Sequence, residues 1–178
     1  MQYIKGINGY KNTRDTAITF GKFDGLHQGH NLLIQKIEEH QRNDNVDGVV
    51  VAFEMNQEVL LTNPEKAKLL DGRIDYFVDC PFDENISKID AEHFIEDIIV
   101  GIFHAKYIVV GTDFCFGYQK RGDYHLLQKY SEKYGFKVEV VEKKKYEGRD
   151  ISSTYIREEF NKGNVELVNR LLGYKLIE

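Results

Sequence analysis

The segment Gly21-Lys22-Phe23-Asp24-Gly25-Leu26-His27-Gln28-Gly29-His30 gathers three glycines, an aspartate and two imidazoles in one short stretch. It follows an apolar run of strand length, Asp15 to Phe20, and opens a segment of helical period. A helix N-terminus offers unpaired N–H groups and the positive end of the peptide dipole, which together favour phosphate. At Gly29 the missing side chain is expected to let a ligand approach the backbone. The imidazoles of His27 and His30 can donate hydrogen bonds to phosphate oxygens as charge moves onto a leaving group. On this reading both rings face an open crevice and matter little for folding. The bland alternative is a pair of surface histidines beside a tight turn.

Two further segments carry residue types suited to the same chemistry. Ile151-Ser152-Ser153-Thr154-Tyr155-Ile156-Arg157 places hydroxyls before a helix and a guanidinium one turn inside it. Such a helix end could be a second phosphate site, or the hydroxyls could be ordinary caps. Gly111-Thr112-Asp113-Phe114-Cys115-Phe116-Gly117 is a glycine-punctuated loop with two phenylalanines. They could stack on a planar ring or fold back as an apolar plug. Lys143-Lys144-Lys145 reads as a solvated basic turn that could also touch a phosphate. His40, His93, His104 and His125 show no metal-ligand spacing, so no protein ligand for a metal is assigned.

These segments need a frame. Apolar runs at 48–53, 76–80, 107–111 and 136–141 follow the first strand, with helix-period segments between them. Helices are expected from about Gly29 to Gln41, after Asn63-Pro64, and after Asp90 with Phe94, Ile95, Ile98, Ile99, Ile102 and Phe103 on one face. Another is expected before Gly135 as a left-handed cap, and two short ones between Ser153 and Leu172. The alternation implies an α/β fold with a Rossmann-like, doubly wound, parallel five-stranded sheet. Ligands of such sheets bind beyond the carboxyl ends of the strands, where strand order reverses. If the strands ending at Phe20 and Gly111 are neighbours, both glycine-marked loops line one crevice.

Composition bounds the reading. The 178 residues suit one domain, with 42% hydrophobic and 30% charged residues. A net charge of -5 argues against general nucleic-acid binding, though a local site can still be positive. No run approaches a membrane span, and Met1 to Tyr10 does not read as a signal peptide. Cys80 and Cys115 lie far apart and read as free thiols. A cytoplasmic location is expected; oligomeric state is not legible.

Taken together, the motifs resemble the FMN adenylyltransferase module of prokaryotic FAD synthetases, of the HxGH nucleotidyltransferase type, from about Thr16 to Tyr174. Pro81-Phe82-Asp83, Ala91-Glu92-His93-Phe94 and the tail from Gly163 to Gly173 fit as well. The resemblance implies FMN + ATP → FAD + pyrophosphate, assisted by Mg²⁺. It implies catalytic roles for His27, His30 and Arg157. ATP is then expected at Gly21, Phe23, Asp24, Gly25, Gly29, Ser152, Ser153 and Thr154, and flavin at Phe53, Asp113 and Phe114. Two departures stand out. Met55-Asn56-Gln57 replaces the Pro-His-Pro usual in that family after Phe53. Proteins of that family also usually continue into a riboflavin kinase domain, which is expected to be absent from residues 1–178, so riboflavin plus ATP is expected to give no FMN. Two other functions stay open: a cytidylyltransferase of a phosphorylated alcohol, and a non-catalytic flavin- or nucleotide-binding regulator. The phenylalanine-bearing loop favours a flat aromatic substrate over a small polyol phosphate.

Overall fold

The computed structural model describes residues 1–176. Six strands form one parallel sheet: β1 (Gln2–Lys5), β2 (Thr16–Gly21), β3 (Asp47–Glu54), β4 (Tyr76–Pro81), β5 (Ala105–Gly111) and β6 (Lys137–Val141). Their spatial order is β1-β4-β3-β2-β5-β6. Five strands match the apolar runs; the sixth, β1, corrects the expected count. Gln2-Tyr3-Ile4-Lys5 buries only Ile4, so its sequence carries no apolar run. It lies at the edge, where one neighbour, β4, supplies its ladder.

The strands alternate their side chains between two apolar layers, as the pleat requires. Ala17, Val50, Ala52, Phe77 and Val109 face Leu33, Ile34 and Ile37 of α1 (Gln28–Asn43) and Ala67 and Leu70 of α2 (Asn63–Leu70). Ile18, Phe20, Val49, Val51, Val78, Ile108 and Val110 face the opposite layer. That layer contains α4, which starts at Ala91–His93, and α5 (Tyr124–Tyr134), and the one-turn helix α3 (Glu84–Ser87) packs against it through Ile86. With helices on both faces, the central strands read as the near-continuous apolar runs seen in the sequence. A third cluster joins Ile151, Tyr155 and Ile156 to Val168, Leu171 and Leu172, on the pair α6 (Ser153–Asn161) and α7 (Val165–Leu172).

Local chemistry sets several element ends. Thr62, not Asn63, is the N-cap of α2: Glu65 N–H donates to its hydroxyl, and the Glu65 carboxylate accepts from the Thr62 N–H. This reciprocal pair releases Asn63 to turn inward, where it is buried. Asp90 caps α4 as expected, but that helix becomes π-wound over Phe94–Val100, with Gly101 N–H donating to the Glu96 carbonyl. The winding keeps Phe94, Ile95, Ile98 and Ile99 in the core and leaves Ile102 only partly buried. Gly135 ends α5 with a left-handed φ of 73°. The residues Lys143 to Lys145 lead into a small antiparallel hairpin, Lys145–Tyr146 with Arg149–Asp150.

Strand order reverses between β2 and β5, which are neighbours. The loops after both therefore open on one crevice beyond their carboxyl ends. The β5 loop is held by a bridge between Phe116 and Gly122 and by Tyr118 N–H donating to the Ile89 carbonyl at 2.7 Å. Gly117 permits this path: its φ is 78°, and a Cβ there would lie 2.7 Å from the Ala91 backbone. Gly117→Ala is expected to lower stability by about 1–3 kcal/mol through backbone strain. Denaturant unfolding of the variant checks it; an unchanged midpoint would remove this account of the loop.

Candidate active site

A cavity of about 580 Å³ occupies that crevice. One part of its wall comes from Gly21, Lys22, Phe23 and Asp24 after β2, with His30 on α1 and Ser153 on α6. The other part is aromatic: Phe20, Phe53, Phe82, Phe94, Phe114 and Phe116, with Asp113 and Met55 at its edge. The tertiary structure thus brings polar groups suited to phosphate and an aromatic surface into one space.

His27 is placed differently from the expectation of an open crevice. It is the N-cap of α1, and its Nδ1 accepts from the N–H groups of Gly29, at 3.0 Å, and His30, at 3.3 Å. An Nδ1 that accepts both leaves the ring proton on Nε2. The ring is buried and stacks on His30, with centroids 3.6 Å apart and planes at 17°. Gly29 makes the cap possible, because a Cβ there would meet the His27 ring at 2.9 Å. The space over Gly29 is therefore filled by imidazole rather than kept for a ligand. His30 also meets the edge of Phe23, and its Nδ1 is buried without a hydrogen-bond partner. Such an atom costs stability unless something else satisfies it.

Burial pushes His27 down to about 4, and burial, with His27 and Lys66 nearby, holds His30 well below the ordinary histidine range. Both rings are neutral donors near neutral pH. In the unfolded chain His27 takes up its proton near 6.5, while the folded ring resists until about 4. Stability is therefore expected to fall as pH drops from about 6.5 to about 4, by on the order of 3 kcal/mol from this ring. His27→Asn keeps a capping side chain and removes the titration, so its unfolding curves should vary less with pH. His27→Ala also removes the cap and should cost about 1 kcal/mol at pH 7. Wild type and His27→Asn sharing one pH dependence would overturn the assignment.

Arg157 reaches across from α6 to Asp24, forming an ion pair, and also donates to the Glu58 carbonyl at 3.4 Å. Asp24 is 4% exposed, and its other oxygen accepts from Leu60 N–H at 2.7 Å. Ser152 is the N-cap of α6 and accepts from Tyr155 N–H, so its hydroxyl serves as a cap. Ser153 lines the cavity, and Thr154 is exposed at the same helix end. Gly25 turns away from the cavity, buried against Leu60 and Leu172, and its carbonyl accepts from Tyr174 Oη at 2.5 Å. Phe116 folds back as an apolar plug, buried on Phe94, while Phe114 lines the cavity, stacked between Phe20 and Phe116. Phe53 stacks on Phe20 and meets Phe82 edge-on.

Sequence reasoning left several wall residues unassigned: Phe20, Leu33, Ile86 and Phe94. Phe20, Leu33 and Phe94 are core positions whose outer edges the cavity exposes, and Ile86 is partly buried against the same core. Among the described residues no three His, Cys, Asp or Glu side chains group as a metal site. The two wall carboxylates, Asp24 and Asp113, already face Arg157 and Lys143. These residues do not form a cage for a divalent ion.

A parallel doubly wound sheet with a helix N-terminus and two stacked imidazoles at its switch point defines a Rossmann-like α/β protein. Comparison with known sequences resolves the class: residues 10–155 match FAD synthetase, and the chain belongs to that family. Similar curated proteins include the bifunctional riboflavin kinase/FMN adenylyltransferase of Escherichia coli strain K12, 33% identical over 98% of this chain. That of Haemophilus influenzae is 30% identical over 97%. The chain spans about 60% of the length of these relatives. A solved structure described as a macrolide-efflux protein from Streptococcus pneumoniae superposes with a TM-score of 0.86, at 25% identity, over 98% of this chain and 62% of that one. Among the described residues no helix is long and apolar enough to cross a membrane.

Proposed function

We propose that this chain transfers the adenylyl group of ATP to FMN, giving FAD and pyrophosphate. The observation that carries the reading is the joining of the turn Gly21 to Asp24, His30 and Ser153 to an aromatic wall within one cavity of about 580 Å³. An adenylyl acceptor with a flat three-ring system and a phosphate needs both kinds of surface. Family membership and the FMN adenylyltransferase named in the E. coli relative support the same reaction.

An oxygen of the FMN phosphate attacks the α-phosphorus of ATP. The new O–P bond forms as the bond from the α-phosphorus to the bridging oxygen breaks, and pyrophosphate leaves with the electron pair. No protein nucleophile is required, so the site contributes positioning and charge stabilisation. Mg²⁺ would enter with the triphosphate as part of the nucleotide substrate and would neutralise charge on the departing pyrophosphate. On this reading His27, Nδ1 committed to the helix, turns its Nε2–H toward the phosphates, and His30, which lines the cavity, adds a second ring beside them. Phe23, Asp24, Gly21 and Ser153 flank the nucleotide, Thr154 adds a hydroxyl at the α6 end, and Arg157 helps hold the triphosphate. Phe53, Asp113 and Phe114 adjoin the flavin.

Incubation with FMN and Mg·ATP, followed by chromatography of the flavins, tests the reading. FAD formation is expected. CDP-alcohol formation from CTP instead, or flavin binding with no turnover, would overturn it.

The stretch Met55-Asn56-Gln57 bears on flavin affinity. Met55 lines the cavity, while Asn56 and Gln57 are exposed. Fixing free backbone costs about 1–2 kcal/mol per residue. Placing Pro-His-Pro at these three positions is therefore expected to tighten FMN about tenfold, titrated with a non-hydrolysable ATP analogue present. Equal FMN affinity in both proteins would show that this loop does not govern flavin binding.

A further inference from the structure

Lys66 is 3% exposed, in the company of buried Asn63 and Asp79. Its ammonium donates to the Lys22 carbonyl at 2.8 Å and to Asn63 Oδ1 at 2.9 Å. Asn63 in turn donates through Nδ2 to Asp79 at 2.8 Å, and the Tyr3 hydroxyl donates to the other Asp79 oxygen. Both direct partners of the ammonium are neutral oxygens, and no ion pair among the described residues includes Lys66. The carboxylates of Asp24, Asp79 and Glu54 act on it only from farther away, and burial outweighs them in lowering its proton affinity.

Burying an ammonium without a paired carboxylate is costly, and a neutral side chain of similar length would satisfy an apolar layer better. This one is spent behind the turn that forms the polar wall: Lys22 lines the cavity on one side and gives its carbonyl to Lys66 on the other. Its charge also acts on His30, whose Nδ1 is one of the buried side-chain atoms without a hydrogen-bond partner among the described residues.

We infer that Lys66 is a positioning residue of the phosphate end of this cavity, fixing the turn Gly21 to Asp24 from behind and supplying a buried positive charge that selects polyphosphate over monophosphate ligands. Asn63 and Asp79 orient the ammonium, and β1 secures Asp79 through Tyr3. The inference rests on the adenylyl-transfer reading for the identity of the ligand, but the geometry behind the turn does not. A cation that touches no ligand acts through space, so its effect grows with the charge of the ligand. A purely structural tether would weaken all ligands alike.

Lys66→Gln keeps a donor toward Lys22 and removes the charge. Lys66→Met removes both and serves as the second variant if the first unfolds. Isothermal titration would compare a non-hydrolysable ATP analogue without Mg²⁺, inorganic pyrophosphate and AMP, with riboflavin as the uncharged control. The analogue and pyrophosphate are expected to weaken about tenfold, AMP less than about threefold, and riboflavin little. Histidine NMR titration of the same proteins, with His30→Ala for assignment, should show the His30 ring taking up its proton at higher pH in Lys66→Gln. Equal weakening of ATP analogue and AMP, or an unmoved His30 titration, would overturn the role of Lys66. Wild type that binds neither nucleotide nor pyrophosphate would overturn the adenylyl-transfer reading and the ligand assigned to this charge, and the His30 titration separates that failure from the other.

Discussion

Replacing His30 with alanine is expected to reduce FAD formation from FMN and ATP by about 10²–10³-fold, the scale of losing one preorganised donor in a phosphate or oxyanion site. The fold should survive. His30 lies in the first turn of α1 and makes no hydrogen bond through its buried Nδ1, so removing it leaves no partner unsatisfied. What is lost is ring contact with His27 and Phe23. The comparison with His27→Asn is informative, since that variant retains a capping oxygen but has no Nε2–H donor. It too should turn over slowly while melting close to wild type at pH 7. Steady-state kinetics and thermal unfolding of the same preparations check both statements. Near-normal turnover in both variants would sink the assignment of these rings to the phosphates.

The second large effect concerns Arg157 and Asp24. Asp24 is almost fully buried, and Arg157 is its cationic partner, with a side chain still 34% exposed. Breaking such a pair from the cation side leaves a carboxylate in low dielectric with one neutral donor, Leu60 N–H. The cost is expected to be about 3 kcal/mol, at the lower end for buried pairs because the guanidinium is partly solvated. Breaking it from the other side, with Asp24→Asn, frees an arginine that can turn to water and should cost less. Arg157→Met should therefore destabilise more than Asp24→Asn, and the double variant less than the sum of the two. Guanidinium unfolding of the four proteins gives the cycle directly. Additive losses would mean that the two side chains do not interact in solution. The same cycle run on turnover asks whether Arg157 also serves the triphosphate: if it does, Asp24→Asn/Arg157→Met recovers stability without recovering rate.

Much of this protein was legible in the sequence because its signals are local. Val49, Val50, Val51 and Ala52 are buried on both faces of the sheet, so the run at 48–53 announced a covered parallel strand. The turn from Gly21 into α1, with histidines at its mouth, was readable because a helix end and its first residues are set within a few residues of chain. The family resemblance, drawn from three separated motifs, agrees with the match over residues 10–155.

What escaped was decided by contacts between distant residues. Strand β1 exists because β4 lends it hydrogen bonds, which four weakly apolar residues cannot advertise. A helical lysine such as Lys66 reads as solvated until Asn63, freed by the Thr62 cap, and the Lys22 carbonyl are seen to enclose it. The orientation of His27 follows from the room that Gly29 leaves above the helix end, a matter of side-chain volume rather than spacing. The pairing of Arg157 with Asp24 spans 133 positions. The sequence determined which groups are available and which elements carry them; packing of β2 beside β5 and of α6 across the turn decided which of those groups meet.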